Sequence, residues 1–371
     1  MSRKELQQGR RPRVVHVVNS FETGGMEKGV ATLISRSAGL FEHVLVCLTH
    51  SGNTARLLPA GTEIIELHKP PGNSPSFLLR LAGVLRRLRP CVVHTRNWPG
   101  LDGVIAARLA GIRQLVHGEH GLGSDDPTGL DPRRLRVRRA LASWPREYTC
   151  VSRSLERWLR ETVRVPRPVT RITNGVDTIA CRPGPGAVAR RDLGLGEGAF
   201  VVGVIGRLDP IKDHRTLLAA HARVRAAVPQ LELLVVGDGP ERERLMASAP
   251  EGVRFLGNRD DVPAILQALD VFVLPSTNEG ISNTILEAMA SGIAVVASRV
   301  GGNPELVEDG RTGTLFAAGD AGALADALHA YAASRDLVAR HGSAGRRRAE
   351  EAFSIDAMVG AYGAVWERVA R

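Results

Sequence analysis

The sequence predicts an α/β protein of two doubly wound domains facing a central cleft, and three observations carry that expectation. Short β-branched segments alternate with helical patterns along most of the 371 residues, the alternation breaks once near residue 175, and a second series of apolar strands begins at Phe200. Strands separated by helices favour a parallel sheet covered on both faces, because each crossover lays a helix against the sheet. A chain of this length is also long for a single core, so two domains are the default.

In the first half, the segment VVHVVN (residues 14–19) is a strand, Thr23-Gly24-Gly25 a glycine turn, and residues 26–38 an apolar-periodic helix. Further strands are expected over 42–48, 62–67, 91–95, 114–118 and 148–151, with helices such as 76–88 and 152–159 between them. From Asn174 the pattern breaks into NGVDTIACRPGPGAV and DLGLGEG, whose glycines and prolines read as a linker. The second strand series covers 200–206, 231–237, 253–256, 271–274 and 293–297. Met358, Tyr362 and Trp366 recur every fourth residue near the end, the spacing of a helix that packs into a core. The expected domains are therefore a loose basic tail (1–12), an acceptor-side domain (13–178), a linker (179–199), a donor-binding domain (200–353) and a final helix (354–371) packing back toward the first domain.

Charge divides at the same place. Residues 1–175 carry 28 Lys and Arg against 14 Asp and Glu, whereas the remainder carries 21 against 25. The basic surplus of the first half calls for an anionic partner. With 4% aromatic residues and no stacking platform or recognition motif, nucleic acid is set aside. Arg133, Arg134, Arg136, Arg138 and Arg139 fall on one expected helix and suit an anionic membrane surface or a phosphorylated carrier. No apolar run approaches the ~20 residues that span a bilayer. The polar first residues do not read as a signal peptide, and Cys47, Cys91, Cys150 and Cys181 form no metal-spaced pair. The expected location is the cytoplasm, at or near the inner face of the cell membrane.

The most specific chemical signal is PSTNEGISNTILEAMASGIAVVAS (275–298), which places Glu279 and Glu287 eight residues apart around a turn. Gly280 makes the turn, and Ser282 or Asn283 can cap a helix whose first N–H groups would face a phosphate. Glu287, one turn on, can accept hydrogen bonds from a ribose diol, and Glu279 from sugar hydroxyls. In VVGVIGRLDPIKDHRTLL, Arg207 follows a buried strand and Lys212 opens the next helix; a planar fork and a point charge can jointly hold a diphosphate. The Gly24-Gly25 turn lets backbone approach an anion, but Gly-x-Gly-x-x-Gly is absent, which disfavours a dinucleotide cofactor. His120, in HGEHG at a strand end, can donate to a substrate hydroxyl or phosphate, while His117 packs within the strand.

These motifs resemble the retaining glycosyltransferases of family 4, which have the GT-B fold of two Rossmann-like domains. The resemblance runs from GGMEKGV through HGEHG, VSRSLERWL, ITNGVDT, GRLDPIKDH and VVGDGPERERL to the Glu-x7-Glu run, with a weaker likeness, in HTRNWPG, HGEHG and EGISNTILEAM, to sugar transferases of bacterial exopolysaccharide loci. It implies that Arg207 and Lys212 bind the donor diphosphate, Glu279 the sugar and Glu287 the ribose, with His120 beside the sugar and Gly25 closing the loop over the reaction centre. Ile281-Ser282-Asn283 depart from the bulky apolar residue followed by proline or glycine of many relatives, which leaves the donor sugar open. The segment SDDPTG after His120 leaves the acceptor open.

The implied reaction moves a sugar from a nucleoside diphosphate to a hydroxyl of a lipid-linked or envelope glycan, with retention and with charge stabilisation on the departing diphosphate as the main catalytic device. Asp-x-Asp does not occur, so neither a divalent metal nor a bound cofactor is expected. Alternatives are a nucleotide-sugar epimerase, a phosphorylase, for which Lys4, Lys28, Lys69 and Lys212 offer no cofactor-site context, and a noncatalytic glycan-binding protein on the same fold.

Overall fold

Val14, Val15, Val17 and Val18 are inaccessible to solvent, the mark of a strand buried on both faces. The computed structural model describes residues 11–22, 24–72, 74–123 and 125–371. All but two residues of the expected tail therefore lie outside the described residues. The chain divides into one unit that runs to Asn174 and takes in Ile355–Arg371, and a second that spans Gly175–Ser354.

Strands of the first unit are β1 (Arg13–Val18), β2 (Glu42–Cys47), β3 (Glu63–Glu66), β4 (Val92–Arg96), β5 (Leu115–Glu119), β6 (Glu147–Cys150) and β7 (Val169–Arg171). They form a parallel sheet in the order β3-β2-β1-β4-β5-β6-β7. Because side chains alternate across a strand, Val15, Val17, Val44, Val46 and Val93 meet the helices Pro75–Leu88 and Leu101–Leu109 on one face. Val14, Val92 and Val116 meet Met358, Tyr362, Val365 and Trp366 of the helix Ile355–Ala370 on the other. The helix Pro75–Leu88 shows how local sequence sets an element: Ser74 accepts from the Phe77 N–H, proline occupies the first turn, and Phe77, Leu81, Leu85 and Leu88 make one buried stripe.

In the second unit, β8 (Phe200–Ile205), β9 (Leu231–Val236), β10 (Val253–Gly257), β11 (Val271–Leu274), β12 (Ala294–Ser298) and β13 (Gly313–Phe316) pair in the order β10-β9-β8-β11-β12-β13, all parallel. This repeats the order of the first six strands of the other unit. Each sheet is Rossmann-like, and its winding reverses where β1 meets β4 and where β8 meets β11.

Several expectations need correction. The segment 179–199 is not a bare linker: it contains the helix Gly186–Asp192, and Arg190 ties it to the Ala268 and Ala199 carbonyls and pairs with Asp270 at 2.8 Å. Arginine contacts outweigh the surrounding glycines there. The short strands β7 and β13 carry too few apolar residues to stand out by pattern. The helix expected over 152–159 runs Arg153–Arg157 and widens into a π-helical turn, Trp158–Val163, that ends at Arg164 with φ of 65°.

Candidate active site

Open parallel sheets bind ligands beyond the carboxyl ends of the strands where the winding reverses. In the second unit that place lies after β8 and β11. Gly206 and Arg207 follow β8, and the loop Pro275–Ser282 follows β11. A glycine turn shapes the first edge. Gly237, at φ of 128°, has no room for a side chain, since a Cβ would lie 2.0 Å from the Gly206 oxygen, and the Leu208 N–H donates to the Asp238 carbonyl at 3.0 Å.

Lys212 was expected to open a helix. It instead ends a short 3-10 turn, Pro210–Lys212, because Asp209 accepts from the Ile211 N–H and Asp213, in the left-handed region, caps the following helix His214–Arg225. That geometry sends the Lys212 ammonium to Glu279 Oε1 at 2.5 Å. Ser276 Oγ donates to the same oxygen at 2.7 Å, and Ser276 is itself held by Ser298, whose hydroxyl donates to its carbonyl. The Thr277 N–H binds the Ile211 carbonyl at 2.8 Å, so the two loops are joined by backbone as well as by charge. The Glu279 side chain is 9% exposed and that of Lys212 25%, while Arg207 projects outward at 70% exposure, its Nε 4.0 Å from Asp209. Beside Lys212, His214 is kept neutral: burial, then the ammonium, pushes its pKa down to about 4.

Ser282, not Asn283, is the cap of the helix Asn283–Ala290, its hydroxyl accepting from the Ile285 N–H at 3.2 Å. Gly280, Ile281 and Ser282 are buried, and within the helix only Asn283, Thr284 and Glu287 are half-buried. Their spacing of three and four puts those three on one face. The helix start and Glu287 therefore share a surface adjoining the Lys212–Glu279 pair.

Sequence reasoning missed what supports this loop. Gly301, at φ of 51°, lies so close that a Cβ would sit 1.7 Å from the Glu279 carbonyl oxygen, and one on Gly302 would sit 2.3 Å from the Gly280 carbonyl oxygen. The signal was present as adjacent glycines before Asn303-Pro304. Ser276 was missed because an isolated serine has no pattern.

Gly24, Gly25 and His120 belong to the first unit. Gly24 is the extended residue before the helix Gly25–Ser37, in the turn after β1, and Thr23 lies outside the described residues. His120 follows β5, with β4 between the two loops. It is half-buried, and its N–H donates to Asn97 Oδ1 at 2.8 Å. Burial, then the charge of Arg96, pushes its pKa down to about 3. Arg96 is itself buried, which lowers its pKa to about 10, and its guanidinium contacts His16 Nδ1 at 3.2 Å and His94 Nδ1 at 3.3 Å. Burial holds both rings neutral, as that contact requires. His117 is buried within β5, between Thr95 and Glu119.

The arginine cluster of the helix Pro132–Leu141 is not one solvated face. Arg138 turns inward to pair with the buried Glu119, and Arg134 stacks over Trp98 and pairs with Asp125 at 3.2 Å. Arg133, Arg136 and Arg139 are exposed. Among the described residues no helix is long and apolar enough to cross a membrane.

Comparison with known proteins agrees with this architecture. Residues 23–179 match the model described as Glycosyltransferase Family 4, and residues 199–334 match that of Glycosyl transferases group 1. An Escherichia coli UDP-Gal:alpha-D-GlcNAc-diphosphoundecaprenol alpha-1,3-galactosyltransferase is 30% identical over 271 residues, 68% of each chain. A D-inositol 3-phosphate glycosyltransferase of Stackebrandtia nassauensis is 30% identical, over 92% of this chain and 84% of its own. In fold, the chain is similar to Anabaena HepE in complex with UDP and glucose, with a TM-score of 0.83 at 22% identity over 96% of this chain and 100% of that one. With two Rossmann-like units, matches to both domain models and relatives of this similarity, the chain belongs to the GT-B glycosyltransferases of family 4.

Proposed function

We propose that this glycosyltransferase takes its sugar from a nucleoside diphosphate donor held by the second unit and transfers it with retention to a hydroxyl of a lipid-linked or envelope glycan, as in exopolysaccharide assembly. The observation that carries the donor assignment is the Lys212–Glu279–Ser276 cluster at the winding reversal, next to the capped start of the helix Asn283–Ala290. Breaking the sugar–diphosphate bond leaves negative charge on the leaving group. Arg207, Lys212 and the N–H groups of that helix supply a positive field for it without a metal. Glu279 then holds sugar hydroxyls, with Gly280, Ile281, Ser282 and Asn283 along the diphosphate and Glu287 at the ribose. His120, kept neutral, acts as a hydrogen-bonding partner of the sugar, and Gly24 and Gly25 bring backbone against it.

A lipid-linked acceptor is favoured by the exposed Arg133, Arg136 and Arg139. They lie on the helix that also borders a cavity of about 310 Å³ lined by Phe77, Leu78, Trp98, Leu101, Ile105 and Val137. A largely apolar pocket, with the Lys69–Asp102 ion pair in its wall, on the same helix as exposed cations suits an anionic amphiphile, and hence a peripheral position on the inner face of the membrane. The relative named for a diphosphoundecaprenol-linked acceptor supports the same class, whereas the one named for inositol 3-phosphate shares with it only the anionic phosphate.

A thermal-shift panel of UDP-, GDP- and ADP-sugars, with Glu287→Ala as control, tests the donor site. Stabilisation by one donor that is lost in the variant is expected; no stabilisation by any donor would put the noncatalytic alternative ahead. Full turnover after EDTA treatment is required by the metal-free mechanism.

A further inference from the structure

Asn97 follows β4 at the winding reversal of the first sheet and has φ of 55° with ψ of −174°. That combination is sparsely populated for any residue with a side chain and is ordinarily left to glycine. Asn97 also occupies the cap position before the turn Trp98–Gly100, where an asparagine side chain would normally accept from a backbone N–H of the first turn. It makes no such bond. Its Oδ1 instead accepts the N–H of His120, from the loop after the neighbouring strand, at 2.8 Å. Its own N–H donates to the Gly118 carbonyl, also at 2.8 Å, extending the β4–β5 ladder by one step. The two bonds grip the segment 118–120 from both ends.

Gly118 completes the arrangement. A Cβ there would lie 3.3 Å from His120 Nε2, 3.1 Å from His94 Nε2 and 2.9 Å from Thr149 Oγ1, so the imidazole folds back over the end of β5 where a side chain would crowd it. The His120 ring is thus seated over a bare backbone while its own backbone is pinned by Asn97.

We infer that Asn97 is a positioning residue for His120, retained in an unfavourable backbone conformation because glycine, which would suit that conformation, cannot hold the His120 N–H. The inference rests on the reading of His120 as part of the reaction site. Its test compares Asn97→Gly, Asn97→Asp and His120→Ala in the full chain, by hydrogen exchange at the residue 120 amide and by nucleotide release from whichever sugar nucleotide stabilises the wild type.

Asn97→Gly keeps the bond to Gly118 and relaxes the backbone, so it should fold normally. It should nonetheless expose the His120 amide to faster exchange and lower kcat by roughly tenfold to a hundredfold, with KM little changed. Asn97→Asp retains an acceptor oxygen and should restore both readouts. Wild-type exchange in Asn97→Gly, faster exchange with unchanged kcat, or an Asn97→Asp variant as defective as Asn97→Gly would each overturn the inference. Wild-type turnover in His120→Ala would instead remove the role of His120. Loss in His120→Ala with none in Asn97→Gly would refute only the part assigned to Asn97.

Discussion

Lys212 donates to Oε1 of Glu279 at 2.5 Å, joining the segments that follow the two central strands of the second sheet. The carboxylate is nearly buried and takes a second hydrogen bond from Ser276. Lys212→Met would leave Glu279 without its counter-charge, a loss of about 1–3 kcal/mol for a group desolvated to this degree. The melting temperature should fall by several degrees, and donor-induced stabilisation should vanish along with it. A variant that melts early yet still responds fully to the donor would make the pair purely structural.

Gly301 offers a steric test of the same loop. Its backbone sits at φ of 51°, with the Glu279 carbonyl oxygen where a Cβ would be. Gly301→Ala must displace the Glu279–Gly280 backbone, so kcat/KM should drop by roughly a hundredfold even though no ligand-contacting side chain is changed. Calorimetric titration with the donor checks whether binding falls with it; unchanged affinity and turnover would show that the loop can move without consequence.

The arginines of the helix Pro132–Leu141 should separate by burial. Arg138→Ala leaves the buried Glu119 with the His117 ring in place of a guanidinium as its charge partner and should destabilise the first unit by about 3–5 kcal/mol in urea titrations. Reversing Arg133, Arg136 and Arg139 to glutamate should cost little stability beyond the Arg139 bonds to the Thr162 carbonyl and abolish sedimentation with phosphatidylglycerol vesicles at low salt. Vesicle binding that survives the triple reversal would place membrane contact elsewhere.

Acid should act through histidines before carboxylates. Burial lowers His43, His214 and His221 to about 4 and His120 to about 3, and it also lowers His16 and His94. A depressed histidine takes up its proton in the unfolded chain first, below about pH 6.5. The unfolded state therefore binds more protons between that pH and the folded values, and stability must fall as pH drops. Each such histidine adds up to about 1.4 kcal/mol per pH unit. Unfolding free energy followed by urea titration from pH 7 to 4 should decline steeply from near pH 6.5; a flat profile down to pH 5 would show that the rings are solvated.

Period and punctuation in the sequence sufficed for the two parallel sheets, since a strand buried on both faces, such as VVHVV in β1 or FVVGVI in β8, must be apolar throughout. The same local chemistry marked Ser282 as a possible cap and put Glu279 and Glu287 on either side of it. Pairings between segments distant in the chain were beyond its reach. Lys212 meets Glu279 across 67 positions, Asn97 reaches His120 across 23, and Arg138 turns in to Glu119 rather than out to solvent. Each depends on which strand ends the sheet order makes neighbours, and on which charges packing removes from water. Local sequence specifies an element's period and caps; only the assembled sheet decides which ends converge and which polar groups must find partners there.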